Sequence, residues 1–340
     1  MTEGRLVREA IASQAGVWAT GVEVAGGLAL PEPILCLGSG TSCYLAEVVA
    51  FLGQRVGRRM EAAPTQDFIL EPEAMAQRYA SVLLLSRSGT TTEVLWAVEL
   101  AKARGLETWA VSCEPESPLM ATCGGGWAVP AGHDHTVVMT RSFSALLLLL
   151  EKALAAGRPE VQEALGRLVD RAGPLVEAAE ALADTLTEPL PRRLYILGAG
   201  ARWGIAREGA LKAFEMANQN AYAYGPLEFR HGPWGSVTPE DLVVMLGQEA
   251  YRTHEQAVVR DLWGRTRRIV TVASAGWFRE GGIPGERWVL PAVTHDEWWG
   301  PLAVVLLQWL GWHWAIKTGR DPDHPKDLTA VVELSDGATG

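Results

Sequence analysis

A run of hydroxyl side chains after a short apolar stretch is the feature of this sequence that points most directly to a ligand. Residues 83–94 read LLLSRSGTTTEV, so serines and threonines crowd the turn before a stretch with a helical pattern. Hydroxyls and free backbone N–H groups at a helix N-terminus suit a dianionic phosphate, to which Arg87 would add a cation. Helix capping explains one or two of these hydroxyls but not all of them. Because the Gly-Lys-Ser/Thr element of a nucleotide P-loop is missing, the run predicts a phosphate site of another kind.

A second candidate group combines two carboxylates with a lysine. Glu208, Lys212 and Glu215 occur in the segment GIAREGALKAFEMANQN, and their spacing places them on one face of a predicted helix. A solvated Glu–Lys–Glu ladder on an exposed helix would have the same spacing. Lysine is scarce in this chain, which contains 30 basic residues of which most are arginine. This scarcity favours a chemical role for the group.

The loop that follows this helix carries more polar groups than a simple connection needs. Residues 222–237 read YAYGPLEFRHGPWGSV and include Glu228, Arg230 and His231 between glycines and prolines. Histidine titrates near neutral pH, so His231 is a candidate proton donor. A structural role for His231 in a rigid His-Gly-Pro turn stays open.

The elements that must position these residues follow a repeated α/β pattern. Short apolar strands alternate with helical stretches, which predicts parallel sheets covered on both faces. Four predicted strands recur about 160 residues later, which indicates an internal duplication. The predicted strands are 34–38, 82–85, 109–113 and 127–130 in the first half, and 194–198, 242–246, 269–273 and 288–291 in the second.

The two halves differ in their turns and are joined by a helical segment. Each half begins with a glycine-containing turn, GSGTS at 38–42 and GAGARWG at 198–204, but the second half has GQEAYRTHEQ where the first has its hydroxyl run. We therefore expect one phosphate site for the pair of halves. Residues 160–187, with Pro174 in the middle, predict a kinked connecting helix or a helix pair.

Composition limits the classes of function that fit. The chain has 340 residues, is 48% hydrophobic and carries a net charge of −10, so it can bury a sizeable core but would repel a nucleic-acid backbone. No secretory signal or membrane segment is recognisable, and the four cysteines lack zinc-type spacing. We expect a reduced, cytoplasmic protein with no metal, no nucleic-acid partner and no membrane partner.

Several motifs together resemble the sugar isomerase (SIS) family. In chain order they are SRSGTTTE at 86–93, TVVMTRSFS at 136–144, EGALKAFE at 208–215, LEFRHGP at 227–233 and HPKDLTAVVEL at 324–334. Within this family, the sequence resembles the isomerase domain of glucosamine-6-phosphate synthase and stand-alone phosphosugar isomerases, deaminases and deglycases. The resemblance extends over roughly residues 30–335.

The resemblance implies two tandem flavodoxin-like αβα domains, each with a central parallel sheet, in a homodimer with shared active sites. The implied boundaries are 1–30 for an N-terminal helical segment, 31–157 for a first domain, 158–190 for connecting helices, 191–335 for a second domain and 336–340 for a tail. Glu215 would move a proton between C1 and C2, Lys212 would lie beside the enediolate, Glu208 would support the site, and His231 of the partner subunit would open the sugar ring. The residues implied to hold the sugar phosphate are Gly40, Thr41, Ser42, Ser86, Arg87, Ser88, Thr91 and Val138. No cofactor is implied.

The sequence also departs from the synthase pattern. The synthases have a lysine in their C-terminal tail that forms an imine with the ketose. The aligned position in this sequence is Ala330, and Lys326 lies four residues earlier. Arg87 stands where the synthases have a glutamine, and His135 stands where they have a glutamate. Residue 2 is threonine where the glutaminase domain needs a cysteine, so we do not expect complete glutamine-dependent synthesis.

Three interpretations follow from these observations. The first is a phosphosugar isomerase or deaminase acting on a hexose 6-phosphate, such as glucosamine 6-phosphate or fructose 6-phosphate, through an enediol-type intermediate. The second is a fructosamine-6-phosphate deglycase. The third is a non-catalytic sugar-phosphate-binding regulator, which Ala330 favours and the EGALKAFE and RHGP motifs disfavour.

Overall fold

The first half of the chain is built from helices around five strands. The computed structural model of the protein describes residues 3–24, 26–291 and 295–331. The tail predicted at 336–340 and the last residues of the implied second domain lie outside these ranges. The helices of the first half and the helix that follows it are α1 (Arg5–Ala12), α2 (Gln14–Thr20), α3 (Thr41–Arg55), α4 (Thr65–Leu70), α5 (Pro72–Ala76), α6 (Thr92–Ala103), α7 (Pro118–Thr122), α8 (Arg141–Leu154) and α9 (Pro159–Leu186), with a 3₁₀ turn at Pro130–Gly132. The strands are β1 (Ile34–Gly38), β2 (Met60–Pro64), β3 (Ser81–Leu85), β4 (Glu107–Ser112) and β5 (Gly125–Ala128).

The second half repeats this arrangement with fewer α-helices and more 3₁₀ turns. Its strands are β6 (Leu194–Gly198), β7 (Ala221–Tyr224), β8 (Leu242–Leu246), β9 (Ile269–Ser274) and β10 (Glu286–Leu290). Its helices are α10 (Ala201–Ala217), α11 (Arg252–Leu262) and α12 (Gly300–Lys317), with 3₁₀ turns at Glu228–Arg230, Pro233–Ser236, Glu249–Tyr251, Ala275–Phe278 and Asp296–Trp298.

Both sheets have the same topology. The first is ordered β2-β1-β3-β4-β5 and the second β7-β6-β8-β9-β10, and every neighbouring pair is parallel. Counted within each half, this is the 2-1-3-4-5 order of the flavodoxin-like fold. The predicted α/β class with two tandem flavodoxin-like units is confirmed, as is the internal duplication.

The sequence pattern missed one strand in each sheet. Strands β2 and β7 lie at sheet edges, and only Met60 in β2 and only Ala221 in β7 are fully buried. Their sequences, MEAAP and AYAY, lack the run of large apolar residues that marked the predicted segments. The eight predicted strands are present, with ends shifted by up to two residues.

The connection between the halves is one continuous helix rather than a helix pair. Helix α9 runs from Pro159 to Leu186 and contains Pro174 in its interior. Proline has no N–H, so one intrahelical hydrogen bond is missing there. Burial of α9 residues such as Leu168, Ala172 and Val176 against the core keeps the helix intact on both sides of the proline.

One hydrophobic core is shared by the two halves, and each sheet has a smaller core on its outer face. Leu83 and Leu85 of β3 face the shared core, whereas Val82 and Leu84 face the outer one, as the two-residue period of a strand requires. The shared core also contains residues of α8, α9, α10 and α12.

Helix α12 lies in the middle of this shared core. The tryptophans that the sequence suggested as packing residues are buried at 298, 299, 309 and 314, and Trp312 donates its indole N–H to the Gly4 carbonyl at 2.8 Å. Although α12 is apolar on nearly all sides, no helix among the described residues is both long and apolar enough to cross a membrane.

Candidate functional site

A cavity of about 200 Å³ lies where β1 and β3 end and the following helices begin. Because β1 and β3 are parallel neighbours, their carboxyl ends meet at one edge of the sheet, where ligands bind in open α/β sheets. The residues that line the cavity are Ser39, Gly40, Thr41, Ser42, Ser86, Arg87, Ser88, Thr91, Val137, Met139, Glu215, Leu328, Thr329, Ala330 and Val331. Seven of the eight predicted phosphate-binding residues are therefore brought together here; their role in binding phosphate stays a prediction.

The turns around this cavity direct the starts of two helices towards it. Gly40, with φ 55° and ψ −126°, ends the β1 turn and α3 begins at the next residue. Gly89 has φ 63°, and Thr91 occupies the N-cap position of α6. Because the helix dipoles of α3 and α6 have their positive ends here, this end of the sheet has a positive potential that suits an anion.

The hydroxyl run is partly used to hold its own turn. The Ser86 hydroxyl oxygen accepts a hydrogen bond from the Gly89 N–H at 3.1 Å. The Ser88 hydroxyl oxygen accepts from the N–H of Thr90 at 3.2 Å and from its hydroxyl at 2.9 Å. These bonds fix the turn while leaving Ser86 and Ser88 at the wall of the cavity.

Arg87 has a structural role that its position in the sequence did not reveal. Its buried guanidinium donates to the carbonyl oxygens of Thr136 at 3.0 Å, Val137 at 3.2 Å and Ala330 at 2.9 Å. Arg87 therefore joins the phosphate loop to the 136–137 segment and to the C-terminal segment, rather than standing free as a phosphate ligand. Its charge still lies beside the cavity.

The prediction for Val138 is wrong as far as its side chain is concerned. The side chain is completely buried in the shared core, and its neighbours Val137 and Met139 line the cavity instead. An apolar side chain at this position gains more from the core than from a polar cavity. The Val138 carbonyl oxygen also has a partner already, because it accepts a hydrogen bond from the Thr136 hydroxyl at 3.0 Å.

Glu208, Lys212 and Glu215 form a compact cluster beside the cavity. The Lys212 Nζ lies 3.2 Å from Glu208 Oε1 and 2.5 Å from Glu215 Oε2. The side chains of Glu208 and Lys212 are completely buried, whereas that of Glu215 is 22% exposed and reaches the cavity. The alternative of a solvated surface ladder is therefore wrong.

The cluster lies at the phosphate loop because α10 packs closely on α3. A β-carbon at Gly204 would come within 2.4 Å of the Tyr44 carbonyl oxygen, so only glycine allows this approach. Lys212 Nζ then donates to the Thr41 hydroxyl oxygen at 3.1 Å, across the boundary between the two halves. One half thus supplies the anion-binding turn and the other supplies the carboxylates.

Burial and charge together set the protonation of the cluster. Burial raises the pKa of Glu208 to about 8, although nearby Lys212 works in the opposite direction. Burial works to lower the pKa of Lys212, but the electrostatic attraction and hydrogen bonds of its two carboxyl neighbours outweigh burial and raise that pKa. At neutral pH the cluster therefore holds a protonated Glu208 and an ammonium at Lys212. Glu215 is the carboxyl group of the cluster that lines the cavity, where it can meet a substrate.

His231 does not join this cluster within its own chain. It is exposed after the 3₁₀ turn Glu228–Arg230 and is not among the lining residues of the cavity. Its delivery to the partner's site stays a prediction. In the same loop, Arg230 pairs with Asp261.

Residues 328–331 of the C-terminal segment belong to the site, although the residue patterns alone did not predict that they would lie there. Leu328 to Val331 form one wall of the cavity, so Ala330 lies at the site and leaves no amine there. Lys326 lines a second cavity of about 510 Å³, which shares Glu215 and Leu328 with the first. The only sequence signal for this segment was the HPKDLTAVVEL motif, whose residues 332–334 lie outside the described ranges.

Among the residues that the structure describes, acidic, cysteine and histidine side chains are not gathered elsewhere into a metal site. In the described ranges no group of three or more of them could hold a metal ion. The four cysteines are free, and Cys36, Cys43 and Cys113 are buried.

Two parallel sheets in 2-1-3-4-5 order, with a cavity at the hydroxyl turn of one half and a buried carboxylate–lysine cluster from the other, define a protein of the tandem flavodoxin-like class. The chain matches the SIS domain family over residues 28–156 and 191–275. It belongs to the SIS domain family.

Individual relatives are similar along most of the chain. D-galactosamine-6-phosphate deaminase AgaS from Shewanella sp. (strain ANA-3) is 28% identical over 91% of this chain and 82% of its own length. The isomerizing glutamine–fructose-6-phosphate aminotransferase from Gloeobacter violaceus is 29% identical over 89% of this chain, which spans about half of that relative, 52% of its length.

Solved structures agree with the fold. The glucosamine-6-phosphate deaminase from Thermotoga maritima superposes with a TM-score of 0.80 at 26% identity, over 97% of this chain and 100% of that one. The tagatose-6-phosphate ketose/aldose isomerase from Escherichia coli has a TM-score of 0.78 at 22% identity, covers 95% of this chain and 97% of its own, and supports the fold alone.

Proposed function

We propose that this chain is a phosphosugar isomerase or deaminase that acts on an amino-hexose 6-phosphate by moving a proton between C1 and C2. The observation that carries the proposal is the position of Glu215, which reaches the anion-type cavity while Lys212 holds its carboxylate at 2.5 Å. A proton shuttle of this kind needs one carboxylate at the reacting carbons and positive charge near the developing enediolate oxygen.

Each residue has a stated role in the proposed reaction. The phosphate binds to the hydroxyls and N–H groups at the starts of α3 and α6. Glu215 takes the proton from C2 and returns it to C1, while the Lys212 ammonium stabilises the oxygen that gains negative charge. In the deaminase direction the resulting C2 imine is hydrolysed by water, so that ammonia leaves and a ketose phosphate remains. Protonated Glu208 keeps the total charge of the cluster near zero, and His231 of the partner subunit opens the sugar ring.

The relatives support an amino-hexose 6-phosphate as the class of substrate, but they do not favour one particular sugar. Their names include deaminases of galactosamine 6-phosphate and of glucosamine 6-phosphate, which differ in the configuration of one carbon of the sugar. The assembly we propose is a homodimer with shared active sites, located in the cytoplasm.

Deuterium exchange tests the proposed proton transfer. In D₂O, proton NMR of glucosamine 6-phosphate and fructose 6-phosphate should show deuterium entering at C2 or C1 in the presence of the protein. Glu215→Gln should lower this exchange by about 100-fold or more, because it removes the carboxyl group proposed to carry the proton between the reacting carbons. Binding of the phosphosugar should stay near that of the wild type, because Glu215 is not part of the phosphate turns.

The matched control is Glu163→Gln, which removes an exposed carboxylate on α9 far along the chain from the site. It should leave exchange unchanged. Unaltered exchange in Glu215→Gln would remove Glu215 from the mechanism. Saturable binding without any exchange in the wild type would instead identify a sugar-phosphate-binding regulator.

A further inference from the structure

The C-terminal wall of the site, residues 324–331, is an exposed segment. Residues 324–328 line the second cavity and residues 328–331 line the first, and Glu215 lines both. Residues 326–330 are exposed, so the hydrophobic core does not fix their position. Near its end the wall is held at Ala330, whose carbonyl oxygen accepts a hydrogen bond from Arg87 at 2.9 Å. A segment held at one end keeps much of its conformational freedom, so the position of the wall depends on what holds its other end.

The other end of the wall is held by the start of helix α1. This helix begins after Gly4, which has no side chain to cap it. Asp323, 316 residues after Val7, supplies the cap: its Oδ1 accepts from the Val7 N–H at 2.8 Å and its Oδ2 from the Leu6 N–H at 3.0 Å. These N–H groups have no partner within the helix. One carboxylate therefore satisfies two of them and lies at the positive end of the helix dipole.

Asp321 adds a third hydrogen bond to the start of α1. Its Oδ1 accepts from the Gly4 N–H at 2.8 Å and from the Asp323 N–H at 3.0 Å, and its Oδ2 forms a hydrogen bond with His324 Nδ1 at 2.8 Å. Burial acts to raise the pKa of this carboxyl group, but the hydrogen bonds that it accepts, chiefly the one with His324, outweigh burial and lower that pKa. The carboxylate is therefore ionised at neutral pH and remains an acceptor.

Close packing accompanies these hydrogen bonds. Gly4 has φ 71°, and a β-carbon there would come within 2.8 Å of the Trp312 indole nitrogen and 2.9 Å of Pro322. The Trp312 indole N–H donates to the Gly4 carbonyl oxygen at 2.8 Å. A larger residue at Gly4 would push α1 away from α12 and from the segment that leads into the wall.

We propose that α1 anchors the C-terminal wall and that Asp321 and Asp323 are positioning residues for the site. Neither residue acts on a substrate directly. By binding the start of α1 they fix where residues 324–331 begin, and so they hold the wall against the cavities beside Glu215. The anchor itself is independent of the ligand, whereas its effect on turnover rests on the proposed function.

Trypsin cleavage after Lys326 measures whether the wall is anchored. The Lys326 side chain is 79% exposed, but cleavage needs the surrounding segment to leave its place in the wall. Asp323→Ala removes both acceptors for α1 and should raise the rate of this cleavage about tenfold, as followed by mass spectrometry. Asp323→Asn keeps one acceptor oxygen and should raise the rate less. It decides the test if the alanine variant does not fold.

Two control variants alter α1 without removing the cap. Glu180→Gln removes the partner that Arg8 of α1 has on α9, at 2.8 Å. Ile11→Val shortens a buried core side chain of α1 and lowers the stability of the protein. Both variants should be cleaved after Lys326 at the rate of the wild type, because both keep Asp321 and Asp323.

Steady-state kinetics with glucosamine 6-phosphate test the positioning role. Asp323→Ala should raise KM about fivefold or more, with kcat within about twofold of the wild type, because Glu215 and Lys212 are held by α10 and not by the wall. A merely structural role would lower the amount of active protein and so the apparent kcat, and it would leave KM unchanged.

The outcomes separate the anchor from the proposed function. Equal cleavage rates in Asp323→Ala and the wild type, or an equal increase in Ile11→Val, would overturn the anchor. Faster cleavage with an unchanged KM would overturn the positioning role. If the wild type turned over no sugar phosphate, the proposed function would be overturned, and the cleavage rates would still decide whether α1 holds the wall.

Discussion

At the scale of single residues, the reactive cluster depends on a carboxyl group that burial keeps protonated. The pKa of Glu208 is raised to about 8, so the folded protein keeps this proton between about pH 4.5 and 8 while the unfolded chain releases it. The folded state then binds more protons than the unfolded state, and stability falls as pH rises through this window. Above about pH 8 the loss is complete.

Glu208→Gln should remove this pH dependence, because glutamine is neutral at every pH. The difference in melting temperature, variant minus wild type, should increase by a few degrees from pH 5 to pH 8.5, because only the wild type loses stability in this range. Differential scanning calorimetry across this range measures it, with the exposed Glu163→Gln as the control that should show no trend. A difference that stays constant or falls with pH would show that Glu208 is ionised in the folded protein.

At the scale of elements, the phosphate site depends on the turn between β1 and α3. Gly40 has φ 55° and ψ −126°, a conformation that an L-residue with a β-carbon rarely adopts. A β-carbon at Gly40 would meet nothing within 4 Å, so the effect of a substitution is conformational and not a clash.

Gly40→Ala should destabilise the protein by about 1–3 kcal/mol and weaken phosphosugar binding, because the N-terminus of α3 moves away from the cavity. Gly16→Ala is the matched control: Gly16 lies inside α2 with open space around it, and alanine should stabilise this helix by about 0.5–1 kcal/mol. Urea denaturation and phosphosugar titration measure both effects. If Gly40→Ala left binding intact, the turn would not be part of the anion site.

At the scale of the whole molecule, the two halves are joined by buried contacts and not by a flexible linker. The largest core contains residues of both sheets and of the helices between them. A buried polar network strengthens this link: the Gln308 side chain on α12 accepts a hydrogen bond from the Gln14 side-chain amide at 2.8 Å and donates one to the Thr140 carbonyl oxygen at 3.0 Å. Gln14 in turn accepts from the Ser144 hydroxyl at 2.5 Å.

We therefore expect the two halves to unfold in a single transition, with equal calorimetric and van't Hoff enthalpies. Gln308→Leu should destabilise both halves together by about 1–3 kcal/mol, because Gln14 and the Thr140 carbonyl lose a buried partner. Calorimetry of both proteins measures this. Two separate transitions, with only the second half destabilised, would mean that the halves fold independently.

Most of the fold could be predicted from the sequence because its signals are local. Apolar runs mark eight of the ten described strands, and the repeat of about 160 residues reveals the duplication. The exceptions are β2 and β7, whose sequences MEAAP and AYAY contain no run of large apolar residues, so that pairing with β1 and β6 and not their own composition decides their conformation. Pro174 suggested a break in α9 that packing against the shared core prevents.

By itself, the sequence determined which residues could do chemistry, because the hydroxyl run and the Glu208–Lys212–Glu215 spacing depend only on neighbouring positions. Only the tertiary structure decided which of them meet. It buries Lys212 against Thr41 from the other half, turns Arg87 to three carbonyl oxygens and moves the Val138 side chain into the core. The physical reason is that burial and long-range contacts, which set the charge and partners of each group, arise only when the two sheets pack together.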